Sequence, residues 1–246
     1  MRIINKVTLN KILKQHQLWL NDPSKGSCAD LSDSDLSGLN LSGANLSNSD
    51  LSGANLQNAN LHRCDLNNAD LHKANLSYAT LSYADLRYAN LHNANLYRAT
   101  MESANLYRAN LESATLVSTN LLCANLSSTK LSYAKLCSAD LSWADLNYAC
   151  LTGADLSDVD LQDTHLNNAV IDDHIVCLDR IGSSKRRTTY NITKDIVWCG
   201  CFCGTFKEWV AKIRKTYPDK NNPYRKEYEA AIDYFKAIAK ASEREV

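Results

Sequence analysis

Proline and glycine are scarce in this chain, three and eight among 246 residues. Those are the residues that build flexible or polyproline spacers, so their scarcity excludes a long linker between parts. No apolar run approaches the roughly 20 residues that a membrane-spanning helix needs. The basic-then-apolar layout of a secretory signal is missing as well. Net charge is absent, with 27 Lys plus Arg against 27 Asp plus Glu, but the balance is not local. Residues 1–28 carry five basic groups and one acidic, residues 29–172 seven and sixteen, and residues 173–246 fifteen and ten. Nine cysteines, an odd number, are scattered through a chain without an export signal. That usage predicts reduced thiols, a cytoplasmic protein and no membrane association.

What the chain has in abundance is one period. From position 31 to position 171 every fifth residue is aliphatic: leucine throughout, except Met101 and Ile171. Five residues of helix advance about 500°, which leaves successive leucines about 140° apart. Five residues of strand is an odd step and puts successive leucines on opposite faces. Only a chain that turns a corner in step with the repeat keeps all of them inside, so the period predicts a solenoid around a dry leucine column. Two residues before each leucine comes Ala in twenty-one of twenty-nine units, and elsewhere mostly Ser, Thr or Cys, as a narrow core requires. Directly before the leucine stands Asp or Asn, again in twenty-one units. These side chains bond nearby backbone and tolerate turn conformations, which places them at the corners. The two positions after the leucine vary freely, as an outward surface does.

Runs such as Ser42-Gly43-Ala44-Asn45-Leu46 and Ser52-Gly53-Ala54-Asn55-Leu56 resemble the pentapeptide-repeat proteins. The resemblance covers residues 29–172. It implies an all-β, right-handed quadrilateral β-helix of about seven coils, four units to a coil, so that residues twenty apart stack. At a strand spacing of ~4.8 Å the rod would be about 34 Å long.

The flanks read as caps. Over residues 1–28 an N-terminal α-helical cap is predicted across 8–21, with Thr8 as N-cap and Leu9, Ile12, Leu13, His16, Trp19 and Leu20 as its buried stripe. On that stripe His16 reads as a packing residue. Residues 173–246 predict a small α+β domain, with strands over 175–181, 188–193 and 195–202. Thr205 and Glu208 then form a capping box, and a last helix starts at Asn222-Pro223. The string from Ile181 to Thr205 is similar to a C-terminal module that follows pentapeptide repeats in some phage and bacterial proteins.

Chemistry is thinly signalled. Ser183, Ser184, Lys185, Arg186 and Arg187, after Gly182, form a candidate anion site of small residues followed by three cations, or else a solvated hairpin tip. Cys199, Cys201 and Cys203, with His174 and Cys177 upstream, do not have the C-x2–4-C spacing of zinc knuckles and read as buried thiols, so no metal or other cofactor is predicted. Stacking by twenty pairs Arg63 with Tyr83, Tyr78 with Arg98 and Tyr88 with Arg108, as cation–π ladders or as adhesive anchors. Tyr97, Val117 and Cys137 share one outward column, with Leu122, Cys123 and Trp143 on the neighbouring face, and these six form the candidate protein contact. Lys130 and Lys135 replace the usual Asp or Asn beside them. No catalytic constellation emerges, so the chain is not expected to be an enzyme.

The expected function is a non-enzymatic binding or scaffold protein, a phage-associated modulator of a host target acting through its C-terminal domain. A protein partner and homo-oligomerisation are expected, and nucleic acid is not. Two alternatives stay open. One is the DNA-mimic inhibition of gyrase that the resemblance suggests. The other is binding of a small anionic ligand by loop 182–187.

Overall fold

The computed structural model describes residues 1–156, 159–170, 175–181, 186–192, 195–199 and 202–242, the side chains of 175–181, 186, 187, 198, 238, 241 and 242 excepted. The chain divides into two compact units, Met1–Asp160 with Thr164–Val170, and Leu161–Asp163 with Ile171–Val246.

In the first unit each five-residue repeat makes one β-turn. The N–H of the small residue donates to the carbonyl of the preceding aliphatic, as Ala104 does to Met101 at 3.0 Å and Ala109 to Leu106 at 2.9 Å. The second residue after the aliphatic has left-handed φ at every described position from Asp33 to Asn168. Four of these are glycines and the other residues have φ of 48–62°. That is the geometry of a type II turn, which ordinarily selects Gly or Asn at this place. The corner therefore lies after the leucine, which corrects the expectation that the preceding Asp or Asn occupies it. Those residues are extended, and their side chains brace the turn from outside. Asn45 Oδ1 accepts from the Ser47 N–H at 3.0 Å and Asp145 Oδ1 from the Asn147 N–H at 2.9 Å.

Coils stack at the same positions. Parallel bridges join residue n to n + 20 from Asp30↔Asp50 to Cys150↔Val170, in four columns and hence on four sides. Amides add to three of these columns; in one of them Asn55 donates to Asp35 at 3.0 Å, and Asn75 to Asn55 and Asn95 to Asn75 at 3.2 Å each. From Leu31 to Leu156 no aliphatic of the period is more than 3% exposed. Where Ala is replaced by Thr or Cys, a carbonyl 23 residues earlier receives it. Thr119 Oγ1 donates to Leu96 O at 2.8 Å, and Cys64 Sγ to Leu41 O at 2.7 Å. Buried polar atoms are thereby satisfied without widening the core.

The N-terminal residues extend the pattern. Strand β1 (Arg2–Ile3) pairs in parallel with β2 (Ser34–Asp35), an element that the sequence reading did not anticipate. Helix α1 (Lys6–Asn21) starts two residues before the predicted span. Its N-cap is Asn5, whose side chain accepts from the Thr8 N–H at 2.9 Å, rather than Thr8 itself. Of the predicted stripe only Leu9 and His16 are fully buried. His16 Nδ1 accepts from the Ala29 N–H at 3.0 Å, and this bond fixes the helix to the first coil.

In the second unit β3 (Ile175–Ile181), β4 (Arg186–Asn191), β5 (Ile196–Cys199) and β6 (Phe202–Thr205) form an antiparallel meander in that order. The last predicted strand is thus two strands, paired through Cys199↔Phe202. Helix α2 (Phe206–Thr216) opens with a reciprocal Thr205–Glu208 capping box, and α3 (Pro223–Ser242) follows Asn222, whose side chain accepts from the Tyr224 N–H at 2.9 Å. The core joins Tyr190 and Val197 of the sheet to Trp209, Ile213, Tyr228, Ile232 and Phe235 of the helices. Arg225, itself buried, ties the helices by donating to Tyr217 O at 2.9 Å and to Glu229 at 2.8 Å.

Candidate functional site

Leucine and alanine fill the solenoid interior, so its chemistry is confined to the outward residues. The two positions after each leucine lie at the corners. The N–H of the second donates to the carbonyl of the first in the next coil, 19 residues on, as Tyr78 does to Tyr97 at 2.9 Å and Tyr88 to Tyr107 at 3.0 Å. This offset decides which side chains meet. Tyr78 packs edge-on against Tyr97, Tyr88 against Tyr107, and His62 against Tyr83. The predicted Arg63–Tyr83 pair is present at 5.8 Å. The other two are corrected: Arg98 lies over Tyr97 at 5.4 Å rather than over Tyr78, and Arg108 over Tyr107 at 5.2 Å rather than over Tyr88. Period twenty alone did not reveal this. The signal available was an aromatic residue just before each arginine.

The six candidate contact residues fall into two groups. Tyr97, Val117 and Cys137 stand in one column, each half-buried, and Tyr97 already carries Tyr78 and Arg98. Leu122 and Cys123 share the following corner with Trp143, which is 58% exposed; the Cys123 N–H donates to Ser142 O at 2.9 Å. One side of the solenoid thus separates the two groups. Lys130 and Lys135 are exposed and stay within the bridge columns, paired with Asn110 and Cys150 and with Thr115 and Asp155.

Electrostatic features on the solenoid are local. Arg87 donates to Asp85 through Nε at 2.8 Å and Nη2 at 2.6 Å. Partial burial raises the Asp85 pKa, but the hydrogen bonds and charge of Arg87 outweigh it and hold the carboxyl below its ordinary value. Burial pushes the Cys64 thiol up to about 11. His92 Nδ1 is buried without a hydrogen-bond partner.

In the second unit, Ser183, Ser184 and Lys185 of the anion-site candidate lie outside the described residues. Arg186 and Arg187 begin β4, with side chains outside the description. Cys201 and His174 also lie outside it, while Cys199 Sγ accepts from Thr188 Oγ1 at 3.0 Å and Cys203 is exposed. Among the described residues no cluster of three or more His, Cys, Asp or Glu could hold a metal, and no helix is long and apolar enough to cross a membrane. A half-open cleft of about 170 Å³ lies between the sheet and α2, with Cys199, Phe202, Trp209, Lys212 and Tyr228 in its lining. Lys212 Nζ sits 5.1 Å from the Phe202 ring centroid.

A family model described as pentapeptide repeats matches the chain in overlapping copies over 29–68, 54–93, 64–102, 84–121, 104–142, 124–163 and 139–172. No curated protein matches. Among solved structures, the chain is similar to HetL, a pentapeptide repeat protein involved in heterocyst differentiation regulation in the cyanobacterium Nostoc sp. strain PCC 7120. Identity is 32% over 58% of this chain and 79% of that one, with a TM-score of 0.51. It is also similar to a thylakoid-lumen pentapeptide repeat protein of Arabidopsis thaliana (33% identity, 37% and 66% of the two chains, TM-score 0.31). A third is Rfr23 of the cyanobacterium Cyanothece 51142 (23% identity, 65% and 95%, TM-score 0.33). The four-sided register is that of a right-handed quadrilateral β-helix.

Proposed function

Because the chain belongs to the pentapeptide-repeat family, we propose that it is a non-enzymatic binding protein whose rigid rod of about seven coils presents side chains to a protein partner. One observation supports this reading most. The interior is closed by leucine and alanine, while tyrosine, tryptophan and arginine, the residues favoured at protein interfaces, stand exposed at the corners. The likeness to HetL, a protein involved in regulation, supports a modulator rather than a catalyst. The six residues Tyr97, Val117, Leu122, Cys123, Cys137 and Trp143 belong to the proposed contact surface. The second unit would add recognition or oligomerisation, and its 182–187 loop an anion contact. A phage-associated setting, suggested by the string from Ile181 to Thr205, is part of the same proposal.

DNA mimicry is the competing reading. It requires an acidic exterior, yet Arg63, Lys73, Arg87, Arg98 and Arg108 occupy outward positions, and the carboxylates of Asp50, Asp65 and Asp145 each bond backbone N–H groups. The test is binding of the full chain to candidate host proteins including gyrase, to duplex DNA, and to a panel of anionic metabolites. The expected result is saturable binding to a protein, weakened roughly tenfold or more by Val117→Ser with Leu122→Ser. Catalytic turnover of a metabolite, or gyrase inhibition untouched by those changes, would overturn it.

A further inference from the structure

The four sides of the solenoid are not equivalent. One side covers Leu66, Leu86, Leu106, Leu126 and Leu146, and between its two corners it presents four outward residues per coil, for example Tyr83, Asp85, Arg87 and Tyr88. Over the five coils from Arg63 to Tyr148 these twenty residues include no Lys and no Glu. Each other side, taken over the same coils, carries Lys73, Glu102, Glu112, Lys130 or Lys135. The same side holds Tyr83, Tyr88, Tyr107, Trp143 and Tyr148, four of them 46–64% exposed at the corners. Three arginines and three aspartates leave it without net charge. Interfaces are enriched in Tyr, Trp and Arg and depleted in Lys and Glu, and about 20–30 residues a side make a standard one.

We infer that this side is the contact of a parallel two-fold homodimer, in which a second copy of the chain meets the same side of the first with both rods running the same way. The inference rests on the reading of the coil as a protein-binding scaffold and names the partner. Symmetry and charge select the orientation. The column before the leucines holds Asp65, Asp85 and Asp145, and the column after them holds Asn67, Arg87, Tyr107 and Asn147. A two-fold axis perpendicular to the rods would set each column against itself, so that Arg87, the one arginine of its column, would meet Arg87 or an uncharged residue and never an aspartate. A two-fold axis along the rods exchanges the columns with no shift in height. Asp85 then faces Arg87 of the second copy and Arg87 faces Asp85, so the existing ion pair becomes a four-charge cluster. Only the second arrangement sets opposite charges against each other, which is how charge fixes register at an interface. The corners exchange as well, bringing Tyr83 to Tyr88 and Trp143 to Tyr148. Between these aromatic pairs, about three coils or ~14 Å apart, the corners carry the smaller Ser103, Cys123 and Ser128 opposite Arg108 and one another. Large side chains thus meet in two bands, with space between them for the arginine.

The experiment is sedimentation equilibrium of the full chain and two charge variants. The unaltered chain is expected to have twice its monomer mass at micromolar concentration. Arg87→Glu and Asp85→Arg are each expected to associate roughly tenfold or more weakly alone, and an equimolar mixture of the two to regain the dimer. Trp143→Ser with Tyr148→Asn, which changes no charge, is expected to weaken association too, so a folding defect in a charge variant does not end the test. A chain that stays monomeric, a dimer indifferent to these changes, or a mixture that fails to re-associate would overturn the inference. If the chain is monomeric yet binds another protein through Val117 and Leu122, this inference fails and the proposed function stands.

Discussion

Serine, tyrosine, arginine and tryptophan rarely accept left-handed φ, yet they do so here at corner after corner, for instance Ser118 at 56° and Trp143 at 61°. For an L-residue this conformation costs roughly 1–2 kcal/mol, and more for a β-branched one. The coil therefore holds each corner against a local preference by the turn hydrogen bond, at Ser118 that of the Thr119 N–H to Leu116 O at 3.1 Å, and in most units by the braced Asp or Asn as well. Substitution at Ser118 measures this. Ser118→Gly should be neutral or stabilising by up to about 1 kcal/mol, and Ser118→Val should destabilise by about 1–2 kcal/mol, read from urea unfolding midpoints. Equal effects of Gly and Val would show that the corner is not strained. At this scale the sequence was partly legible. Leucine and alanine positions were readable because burial demands one size at one period. The placement of positive φ was not, since Asp and Asn mark a corner equally well from inside it or beside it. Pairings such as Tyr78 with Tyr97 depended on a 19-residue hydrogen-bond offset that composition does not show.

Helix α1 is held by a bond that depends on protonation. His16 is fully buried, stacks on Trp19 at 5.7 Å, and uses Nδ1 as an acceptor for the Ala29 N–H. Burial lowers its pKa below the ordinary 6.5, opposed in part by the Ser47 backbone, and Nε2 has no hydrogen-bond partner. With the folded value below the unfolded one, the undocked helix takes up the proton first. Stability from this contact is therefore fully present above pH 6.5 and is lost as pH falls below it. Hydrogen exchange at the Ala29 amide, corrected for intrinsic rate, should lose protection as pH falls below 6.5. His16→Asn, which keeps an acceptor and removes the titration, should flatten that dependence, and a profile identical in the two proteins would refute the account. The predicted stripe did contain the anchoring residue. That Ile12, Leu13, Trp19 and Leu20 remain partly exposed was not readable, because a helix pattern reports which face is apolar and not how much of it a narrow coil end can cover.

Across the whole molecule, stacking is a sum over neighbouring coils, so length is adjustable in units of one coil. Deleting residues 85–104 joins Ala84 to Asn105 in register and should leave a cooperatively folding chain with a lower melting temperature. Deleting Tyr107 and Arg108 alone removes one corner and throws every later leucine out of phase, and should abolish the cooperative transition. Circular dichroism melting distinguishes these outcomes, and a twenty-residue deletion that fails to fold would contradict the register of twenty. The period made this architecture legible from sequence alone. It could not show which of four chemically similar sides differs, because that is a property of residues far apart in the chain that share a column.

The short strand β1 has a consequence at the same scale. A parallel stack with amide ladders resembles the cross-β arrangement of fibrils, in which each layer templates the next at ~4.8 Å. Arg2–Ile3 occupies the bonding positions above Ser34–Asp35, and the Arg2 guanidinium donates to Asp30 O at 2.7 Å and to Ser34 Oγ at 3.2 Å. Arg2 and Ile3 thus take up hydrogen-bonding positions on the first coil that a foreign strand would otherwise use, which is how an exposed edge is blunted against self-templated growth.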